Sequence, residues 1–204
     1  MTEDRSGNRP AAPIETGGLR AIASPGNYDY LVSLPGGHAA EPGRLWPLLI
    51  FLHGVAERGN SVWDVVRQGP PKLLASGVEL SESERRAAAV LASSFIFVAP
   101  QCPPHTVWND AALLRLLDEV GRSFPVDDRR VCLTGLSMGG FGAWSLGIRH
   151  AARFAVTPRA RSFVQVTSSW AHRSTSLRSI VSIASIPDPG SVLKLASKSI
   201  ALWP

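Results

Sequence analysis

Ser137 stands at the centre of Gly135-Leu136-Ser137-Met138-Gly139, which directly follows the short apolar run Val131-Cys132-Leu133. A strand passing straight into a helix through a Gly-x-Ser-x-Gly turn throws the serine hydroxyl outward at a sharp corner, where it can act as a nucleophile. Gly135 and Gly139 are needed because so tight a turn leaves no room for neighbouring Cβ atoms. The backbone N–H of Met138 then faces the place where the oxyanion of an attacked carbonyl would form. A second element is Phe51-Leu52-His53-Gly54-Val55-Ala56-Glu57-Arg58-Gly59, again just after an apolar run. A His53-Gly54 turn there aims the Val55 N–H at the same oxyanion. The alternative reading of this stretch is a surface loop in which His53 is a hydrogen-bonded structural histidine.

The acid and base that would activate such a serine are not legible. Asp188 is the sole carboxylate after Phe154, and no histidine follows His172. No acid separates Ser137 from His172, and His150 falls on the helix that the turn opens. The triad acid and base therefore stay unassigned.

The elements that must hold these residues follow from hydropathy. Residues 28–34 alternate and predict a strand, with Pro35-Gly36-Gly37 as the turn after it. Residues 47–52, 94–99 and 130–134 are near-continuous apolar runs, as expected of parallel strands covered on both faces. Asn109 offers a helix cap, Leu113, Leu116, Leu117 and Val120 share one face, and Gly121 reads as the stop. Residues 138–150 form another helix, whose Gly139, Ala143 and Gly147 make a small-residue stripe suited to close packing. Strands alternating with helices predict an α/β protein with a parallel sheet.

Several of these motifs together carry a family resemblance. Leu52-His53-Gly54 with Glu57-Arg58-Gly59, Gly69-Pro70-Pro71-Lys72-Leu73, Pro100-Gln101-Cys102-Pro103, Trp108, Asp128-Arg129-Arg130-Val131 and Gly135-Leu136-Ser137-Met138-Gly139-Gly140 occur in that order. The set resembles the phospholipase/carboxylesterase-type serine esterases, in the branch labelled predicted peptidases and similar to dienelactone hydrolases and feruloyl esterases. It covers residues 28–154, about three fifths of the chain. The resemblance implies an α/β-hydrolase-type, mostly parallel sheet with flanking helices, and cleavage of small-molecule carboxylic esters through an acyl-serine. It implies no cofactor and no metal. Ala56 departs from the family loop, which has a second glycine there; alanine is unstrained only if its φ is negative.

The larger departure lies beyond Phe154. The family continues with strands that carry the acid and a Gly-His loop, and neither is present. Residues 156–204 hold six basic residues and one acid, the whole of the formal charge of +5, whereas residues 1–155 balance at 15 of each sign. Serine makes up close to a quarter of the stretch from Thr157 onward. Residues 1–26 thus read as a loose lead-in, 27–155 as the hydrolase core, and 156–204 as a weakly structured basic tail, leaving the fold incomplete at its C-terminal side. Such a tail resembles translation in another frame or an alternative end. It makes a non-catalytic remnant the alternative to an active esterase, and, if further strands are missing, leaves residues 130–134 as a bare sheet edge prone to self-association unless the tail or a partner chain covers it.

The remaining composition excludes other classes. No basic and aromatic residues interleave as in a nucleic-acid-binding module. No run approaches the ~18 apolar residues of a membrane span, and the polar N-terminus lacks a signal-peptide apolar region. Cys102 and Cys132 have no metal-ligand spacing, and two thiols in 204 residues suit a reducing compartment, so a cytoplasmic location is expected.

Overall fold

A computed structural model of the chain describes residues 18–154, 164–168 and 179–182. Seven strands form one mixed sheet in the order β1-β2-β4-β3-β5-β6-β7. They are β1 (Arg20–Ile22), β2 (Tyr30–Ser33), β3 (Trp46–Leu52), β4 (Ile96–Pro100), β5 (Val126–Leu136), β6 (Val164–Ser168) and β7 (Ser179–Ser182). The central strands β4, β3, β5 and β6 run parallel, and the antiparallel pairs β1–β2, β2–β4 and β6–β7 extend the sheet on either side. The helices are α1 (Pro70–Leu74), α2 (Glu82–Ser94), α3 (Asp110–Ser123), α4 (Met138–Arg149) and α5 (Ala151–Phe154).

The continuous apolar runs are explained by coverage on both faces. Leu48, Ile50 and Leu52 of β3 and Ile96 and Val98 of β4 join one buried cluster with Leu113, Leu116, Leu117 and Val120 of α3 and Ala143 and Leu146 of α4. Phe51, Phe97 and Ala99 point the other way, into a cluster with Val65 and Leu74. Period-2 alternation thus feeds two separate layers of core, and residues 48–52 of β3 and 96–99 of β4 each find apolar company.

The expected strands and helices are present, with several corrections. The lead-in contains β1, which pairs Arg20–Ile22 with β2; three residues are too few to show a strand pattern in sequence. Residues 1–17 of the lead-in lie outside the described residues. Gly121 does not stop α3, which continues to Ser123 and ends at Phe124; nothing lies within 4 Å of the place a Cβ would occupy there, so the exposed glycine is simply tolerated. Helix α2 has no counterpart in the apolar pattern, for it buries no residue, but its Ser81/Glu84 capping box is present. The edge of β5 is not bare: β6 pairs with it in parallel, Leu133 opposite Val164 and Leu136 opposite Thr167. Val164-Gln165-Val166-Thr167 is a period-2, β-branched segment hidden by the serine-rich composition around it. The rest of the basic tail, with His172 and Asp188, lies outside the described residues. Among the described residues no helix is long and apolar enough to cross a membrane.

At the entrance to β5, buried Asp127 holds Arg129 (Nε–Oδ1 3.1 Å) and Arg130 (Nε–Oδ2 2.7 Å), and Arg130 reaches the Leu45 carbonyl at 2.9 Å. Burial works to raise the Asp127 pKa, but the hydrogen bonds from the two arginines outweigh it and pull the value down to about 2. A folded-state pKa below the ordinary 3.8 means stabilisation present above 3.8 and lost as pH falls towards 2. Acid unfolding of the wild type will therefore steepen across that window. In Asp127→Asn the steepening will be absent, which a series of denaturant melts at stepped pH measures.

Candidate active site

Ser137 is the residue between β5 and α4, and its backbone is strained. Its φ of 51° and ψ of −116° lie where a side chain is rarely tolerated, and it is one of two non-glycine residues with positive φ among those described. The turn is this sharp because its two glycines let chain segments nearly touch. A Cβ on Gly135 would lie 2.2 Å from the Gly139 carbonyl oxygen, and one on Gly139 would lie 1.9 Å from the Leu52 carbonyl oxygen. The small-residue stripe read from the sequence is thus real, and it presses α4 against the end of β3. Ser137 is exposed and does not cap α4 with its side chain. The first N–H groups of α4, Met138 foremost, are left without intrahelical acceptors, as at any helix start.

The loop after β3 comes to the same corner. A Cβ placed on Gly54 would sit 3.6 Å from Ser137 Cβ and 3.5 Å from the Leu136 carbonyl oxygen. The following residues, Val55–Glu57, form a single 3-10 turn, with Val55 at its exposed start. Ala56 is not among the positive-φ residues, so alanine is accommodated there without strain.

His53 is not poised for proton transfer. It is 1% exposed, its Nε2 accepts the Cys102 N–H at 2.9 Å, and its Nδ1 lies 2.7 Å from the Gly54 carbonyl oxygen. An Nε2 that accepts leaves the proton on Nδ1, which donates to Gly54, so the ring is neutral and both nitrogens are engaged. Burial lowers its pKa and reinforces that state. The ring is hydrogen-bonded at both nitrogens, and it sits in the interior rather than in a surface loop. Its ring nevertheless fixes the peptide that precedes the Val55 N–H.

A clamp around this loop was not evident in the sequence. Buried Glu57 accepts the Gly54 N–H at 3.0 Å, so both polar backbone atoms of Gly54 are tied. Gln101 Nε2 donates to the Glu57 carbonyl (2.9 Å), and Arg58 Nη1 to the Thr106 carbonyl (2.9 Å). The Trp108 indole donates to the His53 carbonyl (3.2 Å), meets the His53 and Tyr28 rings edge-on, and packs over Gly142 of α4. Glu57, Gln101, Cys102 and Trp108 were conspicuous only as parts of motifs; their contacts join positions 44 to 55 residues apart.

The strand order, with β2 reversed, β3 exchanged with β4, and a strained serine turn leading from β5 into a packed helix, defines the architecture. The fold is of the α/β-hydrolase type. No family model matches the chain, and no curated protein matches it. Among solved structures 214 chains match. They include a thermostable esterase (23% identity, 65% of this chain and 37% of that one, TM-score 0.47). A ferulic acid esterase matches at 22% identity, over 65% of this chain and 55% of that one, with a TM-score of 0.47. The fluorophosphonate-binding serine hydrolase F of Staphylococcus aureus matches at 18% identity over 67% and 52%, TM-score 0.46. The chain thus spans from 37% to 55% of the length of these three. At such identities and TM-scores the likeness adds nothing to the fold read from the strand order itself.

After Ser137 the described residues contain no carboxylate, and His150 is their one imidazole. His150 follows the last residue of α4, about 20 Å from Ser137 at 1.5 Å per residue. It approaches Asp110 instead, at 4.0 Å. Neither it nor His53 serves Ser137.

Proposed function

We propose that the chain is a serine hydrolase of the carboxylesterase type, acting on small-molecule esters through an acyl intermediate on Ser137. The observation that carries this reading is the strained, outward Ser137 set against the clamped Gly54 loop. Ser137 Oγ would attack the ester carbonyl carbon, and the N–H groups of Val55 and Met138 would receive the charge that develops on its oxygen. Gly135 and Gly139 permit the turn, while His53 and Gly54 orient the Val55 amide. The attack releases the hydroxyl proton to a general base, which returns it to the departing alcohol; water then cleaves the acyl-serine by the same route. His172 and Asp188 are the downstream candidates for base and acid, and both lie outside the described residues.

Among the described residues no imidazole reaches Ser137, and the second reading is a hydrolase-fold protein whose serine is not activated. Fluorophosphonate labelling of the full chain separates the two. The first reading expects Ser137 to be labelled and the label to vanish in Ser137→Ala. A folded wild type that takes no label would leave only the second reading standing.

A further inference from the structure

Gly54 is the pivot on which the Val55 N–H turns, and a glycine backbone holds no direction of its own. Its φ of −83° and ψ of −175° would suit any residue. Space is what favours glycine there, since a Cβ would crowd Glu57 Oε2 at 3.0 Å beside the Leu136 carbonyl oxygen and Ser137 Cβ. Other groups must therefore fix its two peptides, and three of the four polar atoms on them are held. The His53 carbonyl accepts the Trp108 indole N–H at 3.2 Å, the Gly54 N–H donates to Glu57 Oε2 at 3.0 Å, and the Gly54 carbonyl oxygen lies 2.7 Å from His53 Nδ1. The fourth, the Val55 N–H, has no partner among the described residues. Glu57 differs from the other holders in where it stands. It is 3% exposed and belongs to the same 3-10 turn, Val55–Glu57, that begins with the free amide. Gln101 Nε2, just past the end of β4, donates to its carbonyl at 2.9 Å. The position of the sheet thus passes through one side chain to Gly54. A capping-box glutamate ordinarily stabilises the helix behind it, but a turn of three residues has little helix to stabilise.

We infer that Glu57 is a positioning residue for the reaction at Ser137: its carboxylate holds Gly54 so that the Val55 N–H is aimed where the oxyanion forms. This rests on the serine hydrolase reading and adds to it a buried acid that the attack itself does not use. Glu57 acts through Gly54 and takes no proton. What matters is the reach of its acceptor oxygen rather than its charge, and its other oxygen has no hydrogen-bond partner among the described residues. The oxyanion exists only once attack is under way, so a misdirected amide lowers kcat and leaves KM nearly unchanged. A displacement of about 1 Å is enough to cost about a hundredfold.

The test is hydrolysis of para-nitrophenyl butyrate by the full chain, as wild type, Glu57→Gln, Glu57→Asp and Glu57→Ala, with a urea melt of each. Glu57→Gln drops the charge but keeps the reach, and its kcat should stay within about threefold of the wild type. Glu57→Asp keeps the charge but draws the oxygen back by about 1.5 Å. Its kcat should fall about tenfold to a hundredfold at a steady KM, and Glu57→Ala should fall as far. Should the alanine variant fail to fold, the glutamine and aspartate pair still decides. An aspartate variant as fast as the wild type, a loss that appears in KM, or a glutamine variant as slow as the aspartate one overturns the positioning role. Ser137 labelling of the wild type by a fluorophosphonate would in each of those cases still uphold the hydrolase. A folded wild type that neither takes the label nor turns over the ester removes the hydrolase reading, and the role of Glu57 with it.

Discussion

Gly139→Ala is expected to destabilise the chain by more than about 4 kcal/mol, a loss reached only when a substitution forces packed backbone apart. The added methyl would lie 1.9 Å from the Leu52 carbonyl oxygen, 2.3 Å from its carbon and 2.6 Å from the His53 carbonyl oxygen. These are main-chain atoms at the end of β3, held in register with β4 and β5, and they cannot rotate away as a side chain would. Helix propensity alone predicts the opposite sign, since alanine in a helix is worth about 1 kcal/mol over glycine. The contact wins because moving α4 outward would unpack Ala143 and Leu146 from the core together. Urea melts of the two proteins read the difference. An alanine variant as stable as the wild type would mean that α4 does not touch the strand end, and the close approach described for the turn would be wrong.

The second large effect concerns His53. Its imidazole is neutral because Nε2 must accept the Cys102 N–H, and burial depresses its pKa. The sign follows directly. A histidine less basic in the folded chain than in the unfolded one contributes stability that is complete above the ordinary value near 6.5 and drains away as pH falls below it. Protonation also turns Nε2 from acceptor into donor, facing another donor, and breaks the link between the Gly54 loop and Cys102. Melting temperature and Ser137 labelling should therefore decline together on acidification from about pH 6.5, before the Asp127 window opens. His53→Ala should cost about 2–4 kcal/mol, from the stranded Cys102 N–H and Gly54 carbonyl and the cavity left beside Trp108. It should also abolish the decline just below pH 6.5. A wild type whose stability is level between pH 7 and 5 would show that the ring is not buried in this neutral form.

These two residues also mark what was legible in the sequence. The turn around Ser137 could be read because its requirements are local: an apolar strand, two glycines and a small-residue helix within 17 residues of chain. Strands β3, β4 and β5 showed themselves because burial on both faces demands unbroken apolar runs. Helix α2 did not, because it lies with no buried residue and so carries no apolar stripe. Strands β1, β6 and β7, of three, five and four residues, are too short for alternation to rise above their surroundings. The clamp on the Gly54 loop was hidden for another reason. A carboxylate, an amide, an indole and an imidazole that meet only after folding leave no spacing rule behind. Gly121 misled because glycine stops a helix by conformational preference alone, and here the helix runs on to bring Phe124 against the core.

Ser137 owes its outward pose to the chain alone: the angle of the turn, the two glycines and the press of α4 on β3. Among the described residues no side-chain hydrogen bond steers it. Presentation of the hydroxyl is therefore a property of the backbone, set independently of whichever group takes its proton.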